Sequence, residues 1–151
     1  MELLKESVVG DYQFSTDRGK LDIDFIHDFV SKRSYWAIGI PRETLVVAIA
    51  NSLCFGVYDQ QKQIAFARLV TDYATFGYLA DVFVVENFRG KGISKLLMKF
   101  IFDLDELKKL RRMILVTRDA HSLYQPLGFN ALAFPDRYLE LHRPDVYKEN
   151  K

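Results

Sequence analysis

The sequence predicts an α/β fold with a mixed, mostly antiparallel central sheet flanked by helices, and three observations carry that reading. Residues 52–85 hold three strand-like segments separated by short polar turns, the pattern of an antiparallel meander. Ile93, Leu96, Leu97, Phe100, Ile101 and Leu104 then recur at i, i+3, i+4, i+7, i+8 and i+11, which is one apolar face of a helix. Met113 to Thr117 is a further apolar, β-branched run, so the helix becomes a crossover to a parallel strand, expected to be right-handed.

Taken in order, residues 8–16 read as a first strand, and Asp22 and Asp24 open a helix carrying Ile23, Ile26, Phe29 and Val30 that ends near Ser34. The stretch Tyr35 to Pro41 is a loop rich in aromatic and apolar residues, and Pro41 suits the start of a second short helix reaching Ala50. Ser52 to Tyr58 and Gln63 to Val70 are strands joined by the polar turn Asp59 to Lys62, and a turn from Asp72 to Gly77 leads into a third strand, Tyr78 to Val85. That strand is apolar on both faces, as suits a central strand of the sheet. Phe129 to Leu132 and Arg137 to Leu141 are expected to form a final hairpin, with residues 147–151 frayed.

The chain has 151 residues with 49% hydrophobic and 14% aromatic content, enough for one domain over 1–151 with a real core. Lys plus Arg total 21 against 20 for Asp plus Glu, so no global charge favours nucleic acid or an anionic membrane as partner. Cys54 is single and cannot form an internal disulfide, the N-terminus lacks a signal-peptide pattern, and no apolar run approaches membrane length. A cytoplasmic protein is expected. His27 and His142 have no metal-ligand spacing, and no metal is expected.

Positive charge is concentrated in the turn between the third strand and the amphipathic helix, Asn87 to Gly92. Gly90 and Gly92 let the backbone curl so that amides converge where a helix N-terminus leaves its own unpaired. Arg89, Lys91 and Lys95 surround that point, which makes a phosphate or pyrophosphate the fitting ligand; the alternative is a helix start with solubilising lysines. The P-loop and the dinucleotide fingerprint are excluded by spacing, since Lys95 stands where the latter needs a small residue.

Several other residues invite a role. Asp81 is a carboxylate in an apolar strand and needs either a structural partner, a neighbouring strand or Arg68, or a chemical task. His121 follows the parallel strand, where open sheets place their sites, although a capping or surface histidine is the commoner case. The aromatic loop with Tyr35 and Trp36, and Arg42 just beyond it, is either packed core or the wall of a substrate pocket. Cys54 reads as a small core residue.

The Arg89-Gly90-x-Gly92 turn resembles motif A of the GNAT superfamily of N-acetyltransferases, whose pattern is Gln/Arg-x-x-Gly-x-Gly/Ala, with Asn87 departing at the first place. The segment Ala120 to Phe129, with Leu123-Tyr124 and Gly128-Phe129, is similar to a second recurring stretch of that family. The resemblance implies an acetyltransferase that uses acetyl-CoA as cosubstrate, with Arg89, Gly90, Lys91, Gly92, Ile93, Ser94 and Lys95 gripping its pyrophosphate. It implies parallel strands that splay beyond a bulge, freeing the backbone of Val82, Phe83 and Val84 to bond the pantetheine arm, with the amide near Val84 polarising the thioester carbonyl. Tyr124 takes the place of the family's general acid, the alternative being a ring packed beside Leu123 and Leu127. Asp81 takes that of a general base, with Asp72 and Glu86 behind it. Tyr35, Trp36, Arg42 and His121 would lie by the acceptor, a small-molecule or peptide amine, in a monomer or homodimer. The other function classes open at this point are a non-catalytic acyl-CoA binding or sensing domain and an interaction domain with no cofactor.

Overall fold

The structure is a computed structural model that describes residues 2–148. Ten elements carry the fold: β1 (Glu6–Val9), β2 (Tyr12–Ser15), α1 (Ile23–Lys32), α2 (Arg42–Ala50), β3 (Leu53–Asp59), β4 (Lys62–Thr71), β5 (Phe76–Val84), α3 (Ile93–Phe102), β6 (Arg112–Leu115) and the single-turn α4 (His121–Tyr124). The described strands form one sheet in the order β1 to β6, antiparallel throughout except for the parallel pair β5 and β6. The mixed, mostly antiparallel sheet and the crossover through α3 are therefore as the sequence indicates.

Strand alternation sorts the core into two layers. Leu53, Phe55 and Val57 of β3, with Ala65, Ala67 and Leu69 of β4, join Leu97, Met98 and Ile101 of α3 on one face. Cys54 and Phe66 from the same strands, with Phe83 of β5, join Ile26, Phe29 and Val30 of α1 and Leu45 and Ile49 of α2 on the other. Phe83 stacks on Phe29 with centroids 3.9 Å apart and rings 5° from parallel. At α1 the Asp22 side chain accepts from the Phe25 amide at 3.0 Å, the N-cap that its position promised. The β3–β4 turn places Gln60 and Gln61 at φ 49° and 73°, the left-handed pair that a two-residue hairpin requires.

Four expectations are corrected. Residues 8–16 are not one strand: Gly10, at φ 60°, turns the chain so that β1 and β2 form a hairpin. The strand at Tyr78 to Val85 is the fifth of six, beside the edge, and its β6-facing side is covered over only part of its length. Phe129 to Leu132 and Arg137 to Leu141 form no hairpin; Phe134-Pro135 breaks the run, and Pro135–Arg137 is a 3-10 turn. Tyr147 is not frayed, because it packs against the α1–α2 core layer; residues 149–151 lie outside the described part.

Candidate active site

The register of β5 creates the site. β6 pairs with β5 only from Phe76 opposite Arg112 to Leu79 opposite Leu115, whereas β5 continues to Val84. Residues 80–84 therefore border a gap where a sixth strand would otherwise lie. On the β4 side the register shifts between Phe66 and Arg68, so Asp81 and Val82 together stand opposite Ala67 in a bulge, with Asp81 at φ 54°.

Directly opposed residues of an antiparallel pair alternate between bonded and non-bonded positions. The Val85 amide donates to Ile64 carbonyl at 3.0 Å, so the adjoining pair Val84 and Ala65 is non-bonded, and the Val84 N–H and C=O both point into the gap. The Val84 carbonyl accepts from Arg89 Nε at 3.0 Å. By the same alternation Phe83 faces β4 with its backbone and the α1 layer with its ring, which removes it from the residues that could meet a ligand in the gap. Val82 remains in the bulge beside it.

Just past β5 lies the basic turn. Gly90 and Gly92 adopt φ 79° and 80°, and a Cβ built on either would meet nothing within 4 Å, so the approach to their backbone is open. Gly92 is the N-cap of α3 with no side-chain cap bond, which leaves the first-turn amides of Ile93, Ser94 and Lys95 available. Arg89, Lys91 and Lys95 are exposed around them. Lys91 Nζ sits 5.1 Å from the Phe88 ring centroid and Arg89 straps the turn to β5. An anion is the ligand this arrangement suits.

Across the gap, the loop between α1 and α2 folds over the bulge. Trp36 Nε1 donates to Asp81 Oδ1 at 2.7 Å, and Arg68 Nε donates to Asp81 Oδ2 at 2.8 Å. Both carboxylate oxygens are thus engaged, and the Asp81 side chain is only 7% exposed, so the geometry supports the structural reading of this acid. Tyr35 is the next anchor: its hydroxyl accepts from the Arg118 amide at 2.9 Å while the Arg118 guanidinium lies 3.9 Å over its ring. Tyr35 and Trp36 still keep 43% and 41% of their surface open, enough to touch a substrate. Arg118 escaped the reading of the sequence; its position in the loop after the parallel strand, beside His121, was the available signal.

Tyr124 is buried, edge-on to Phe129 with centroids 5.9 Å apart. Burial, and after it the nearby Tyr35, push its phenol up to about 12, so it stays protonated across the physiological range. His121 and Tyr124 share the wall of a groove of about 260 Å³ beside β6, with His121 exposed. Arg42 is not brought into this group among the described residues; its Nε donates to Asp24 Oδ1 at 2.9 Å on the exposed α1–α2 face. The lesser acids are spoken for as well. Asp72 accepts from the amides of Ala74, Thr75 and Phe76 and caps the turn into β5, while Glu86 pairs with Arg33 at 3.0 Å.

Comparison with known proteins adds family information to this geometry. Residues 50–131 match the family described as "Acetyltransferase (GNAT) domain". A crystal structure from Xanthomonas campestris pv. campestris, of a protein assigned to the GNAT family, shares 44% identity and superposes with a TM-score of 0.89 over 93% of this chain and 99% of that one. A Gibberella zeae protein bearing the name of an acetyltransferase is 30% identical, covering 76% of each chain. A predicted acetyltransferase of Clostridium acetobutylicum, solved with acetyl-CoA, shares the fold at a TM-score of 0.59 with 19% identity, over 87% of this chain and 94% of that one.

Proposed function

The chain belongs to the GNAT family of acetyltransferases, and from that premise we propose that it moves an acetyl group from acetyl-CoA to a primary amine by direct attack. The observation that carries the proposal is the gap beside β5: the Val84 amide points into it, the uncapped Gly90 to Lys95 turn opens at one end, and Tyr124 lies beyond the end of β6. Acetyl-CoA would supply an activated acetyl thioester.

Within that proposal the amides of Gly90 to Lys95 hold the pyrophosphate, with Lys91 and Lys95 adding charge and Arg89 fixing the turn to Val84. The Val84 N–H donates to the thioester carbonyl oxygen, where negative charge develops during attack. Tyr124 donates its hydroxyl hydrogen bond to the leaving sulfur. A phenol held near 12 gives up its proton only where burial has raised the thiolate as well, so hydrogen bonding carries the larger share of its role.

The acceptor must arrive or become neutral. Deprotonating a lysine-like amine at neutral pH costs roughly 4 to 5 kcal/mol on its reference pKa. Asp81, with both oxygens bonded, enters the proposal as the residue that fixes Trp36 and the bulge, and the exposed faces of Tyr35, Trp36 and His121 form the acceptor's wall. The test is thiol release from acetyl-CoA across a panel of polyamines, amino acids, aminoglycosides, peptide N-termini and peptide lysines. Turnover of at least one amine is expected. Coenzyme A binding by calorimetry with no thiol release from any of them would leave an acyl-CoA binding domain instead.

A further inference from the structure

We propose that Arg118 selects the acceptor and that the acceptor is a small amine bearing a carboxylate, an inference that rests on the acetyl transfer proposed above and names its substrate class. Arg118 stands in the loop after β6, which is held at two points. The Ala120 amide donates to Thr117 Oγ1 at 3.1 Å, and the Arg118 amide donates to the Tyr35 hydroxyl at 2.9 Å. The Arg118 guanidinium lies 3.9 Å over the Tyr35 ring, and Tyr35 is in turn edge-on to Trp36 with centroids 5.0 Å apart. Trp36 is bonded to Asp81 in the bulge of β5. The cation is thus fastened to the loop that folds over that bulge. After burial, the nearness of Tyr35 is what pushes the Tyr124 phenol up, so the same ring that seats Arg118 stands close to the residue proposed to meet the leaving sulfur.

Arg118 also differs from its neighbours in having no counter-charge. Arg68 is paired with Asp81, and Arg33 with Glu86 and Asp28, whereas the Arg118 guanidinium makes no ion pair or hydrogen bond among the described residues. Even Asp119, next in sequence and exposed, makes none with it. A ring occupies the face of a guanidinium and leaves its N–H edge free, and that edge matches the two oxygens of a carboxylate. One guanidinium without a partner suits a single negative charge better than the nearly double charge of a phosphate monoester. Seating it on Tyr35 beforehand lowers the ordering cost of binding. A polyamine or an aminoglycoside would instead meet like charge here. With its carboxylate on Arg118, the acceptor brings a neutral amine to the thioester. The N–C bond forms, the C–S bond breaks, and one amine proton leaves with the sulfur as free thiol.

The test is thiol release from acetyl-CoA with amino acids and ω-amino acids, each measured against its own carboxamide, and with spermidine as the cationic acceptor. The acids should show the higher kcat/KM, even though a neighbouring carboxylate keeps more of their amine protonated. Arg118→Gln should cut the acid-to-amide ratio about tenfold or more, through KM for the acceptor, while coenzyme A affinity by calorimetry stays near that of the wild type. Arg118→Lys should restore part of the ratio, and Arg118→Glu should move the preference to spermidine. The bond to the Tyr35 hydroxyl uses the backbone amide and survives all three changes, and the wild-type comparison needs no variant at all. A wild type that prefers the amides or spermidine overturns the inference while leaving acetyl transfer in place, as does an acid-to-amide ratio that Arg118→Gln does not move. Coenzyme A binding with no thiol release from any amine overturns both.

Discussion

Trp36 and Asp81, 45 residues apart in sequence, are joined by a 2.7 Å hydrogen bond from the indole N–H to the carboxylate. Through it the loop between α1 and α2 is fastened to the bulge of β5, and the same carboxylate reaches Arg68 on β4 at 2.8 Å. Asp81 stands at φ 54°, a conformation that costs a non-glycine residue roughly 1 to 3 kcal/mol, and these two bonds hold it there. The loop that carries Tyr35 and Trp36 and the bulge that redirects β5 are thus one connected unit.

Asp81→Asn should therefore act mainly on stability. Asparagine still accepts from Trp36 but leaves the Arg68 guanidinium, 16% exposed, without its counter-charge. The loss should be about 2 to 3 kcal/mol in urea unfolding, toward the low end for a broken buried pair because Arg68 keeps Ser52 Oγ at 3.2 Å. Residual turnover should show the wild-type pH profile. A defect that shrinks as pH rises would make Asp81 the proton acceptor instead.

Gly92→Glu should abolish coenzyme A binding while keeping most of the fold. A Cβ at this position meets no protein atom within 4 Å, so the expected effects are left-handed backbone strain and a carboxylate placed by the uncapped amides. Calorimetry with coenzyme A, beside a native circular dichroism spectrum, reads this; unchanged affinity would put the pyrophosphate elsewhere.

For Tyr124→Phe the ring keeps its edge contact with Phe129 and only the hydroxyl is lost. Turnover should fall roughly ten- to a thousandfold under conditions where chemistry limits, with melting temperature and acetyl-CoA affinity nearly unchanged. Wild-type turnover in this variant would remove Tyr124 from the mechanism.

Stability should decline on the alkaline side. Burial raises Cys54 to about 12, Tyr58 still higher, and Tyr124 to about 12. In the unfolded chain these groups ionise near about 8.5 and 10, so from there upward the unfolded state sheds protons that the folded state retains. Their contribution is complete below about pH 8 and drains away as pH climbs toward the folded values. Melting temperatures from pH 7 to 11 should show this fall, and Cys54→Ala should flatten its first part.

The parts of the fold that depend on near neighbours are legible along the chain. The 3.6-residue period from Ile93 gives α3, the Asp22 cap gives the start of α1, and two glycines ahead of a helix give an open turn with uncapped amides, because each rests on local backbone preference and side-chain spacing. Tertiary structure alone decided what those parts face. Whether Asp81 is a base or an anchor depended on Trp36 and Arg68 arriving from other elements, and the Tyr35 hydroxyl meets an Arg118 amide 83 residues away. The Val84 amide points into the gap, and Phe83 away from it, only because β5 pairs with β4 in one register and outruns β6. The strand-like pattern at Arg137 to Leu141 shows the same limit from the other side. Alternation marks a segment as able to join a sheet, but a strand exists only where an edge is within reach, and the chain's own β6 is not paired by it.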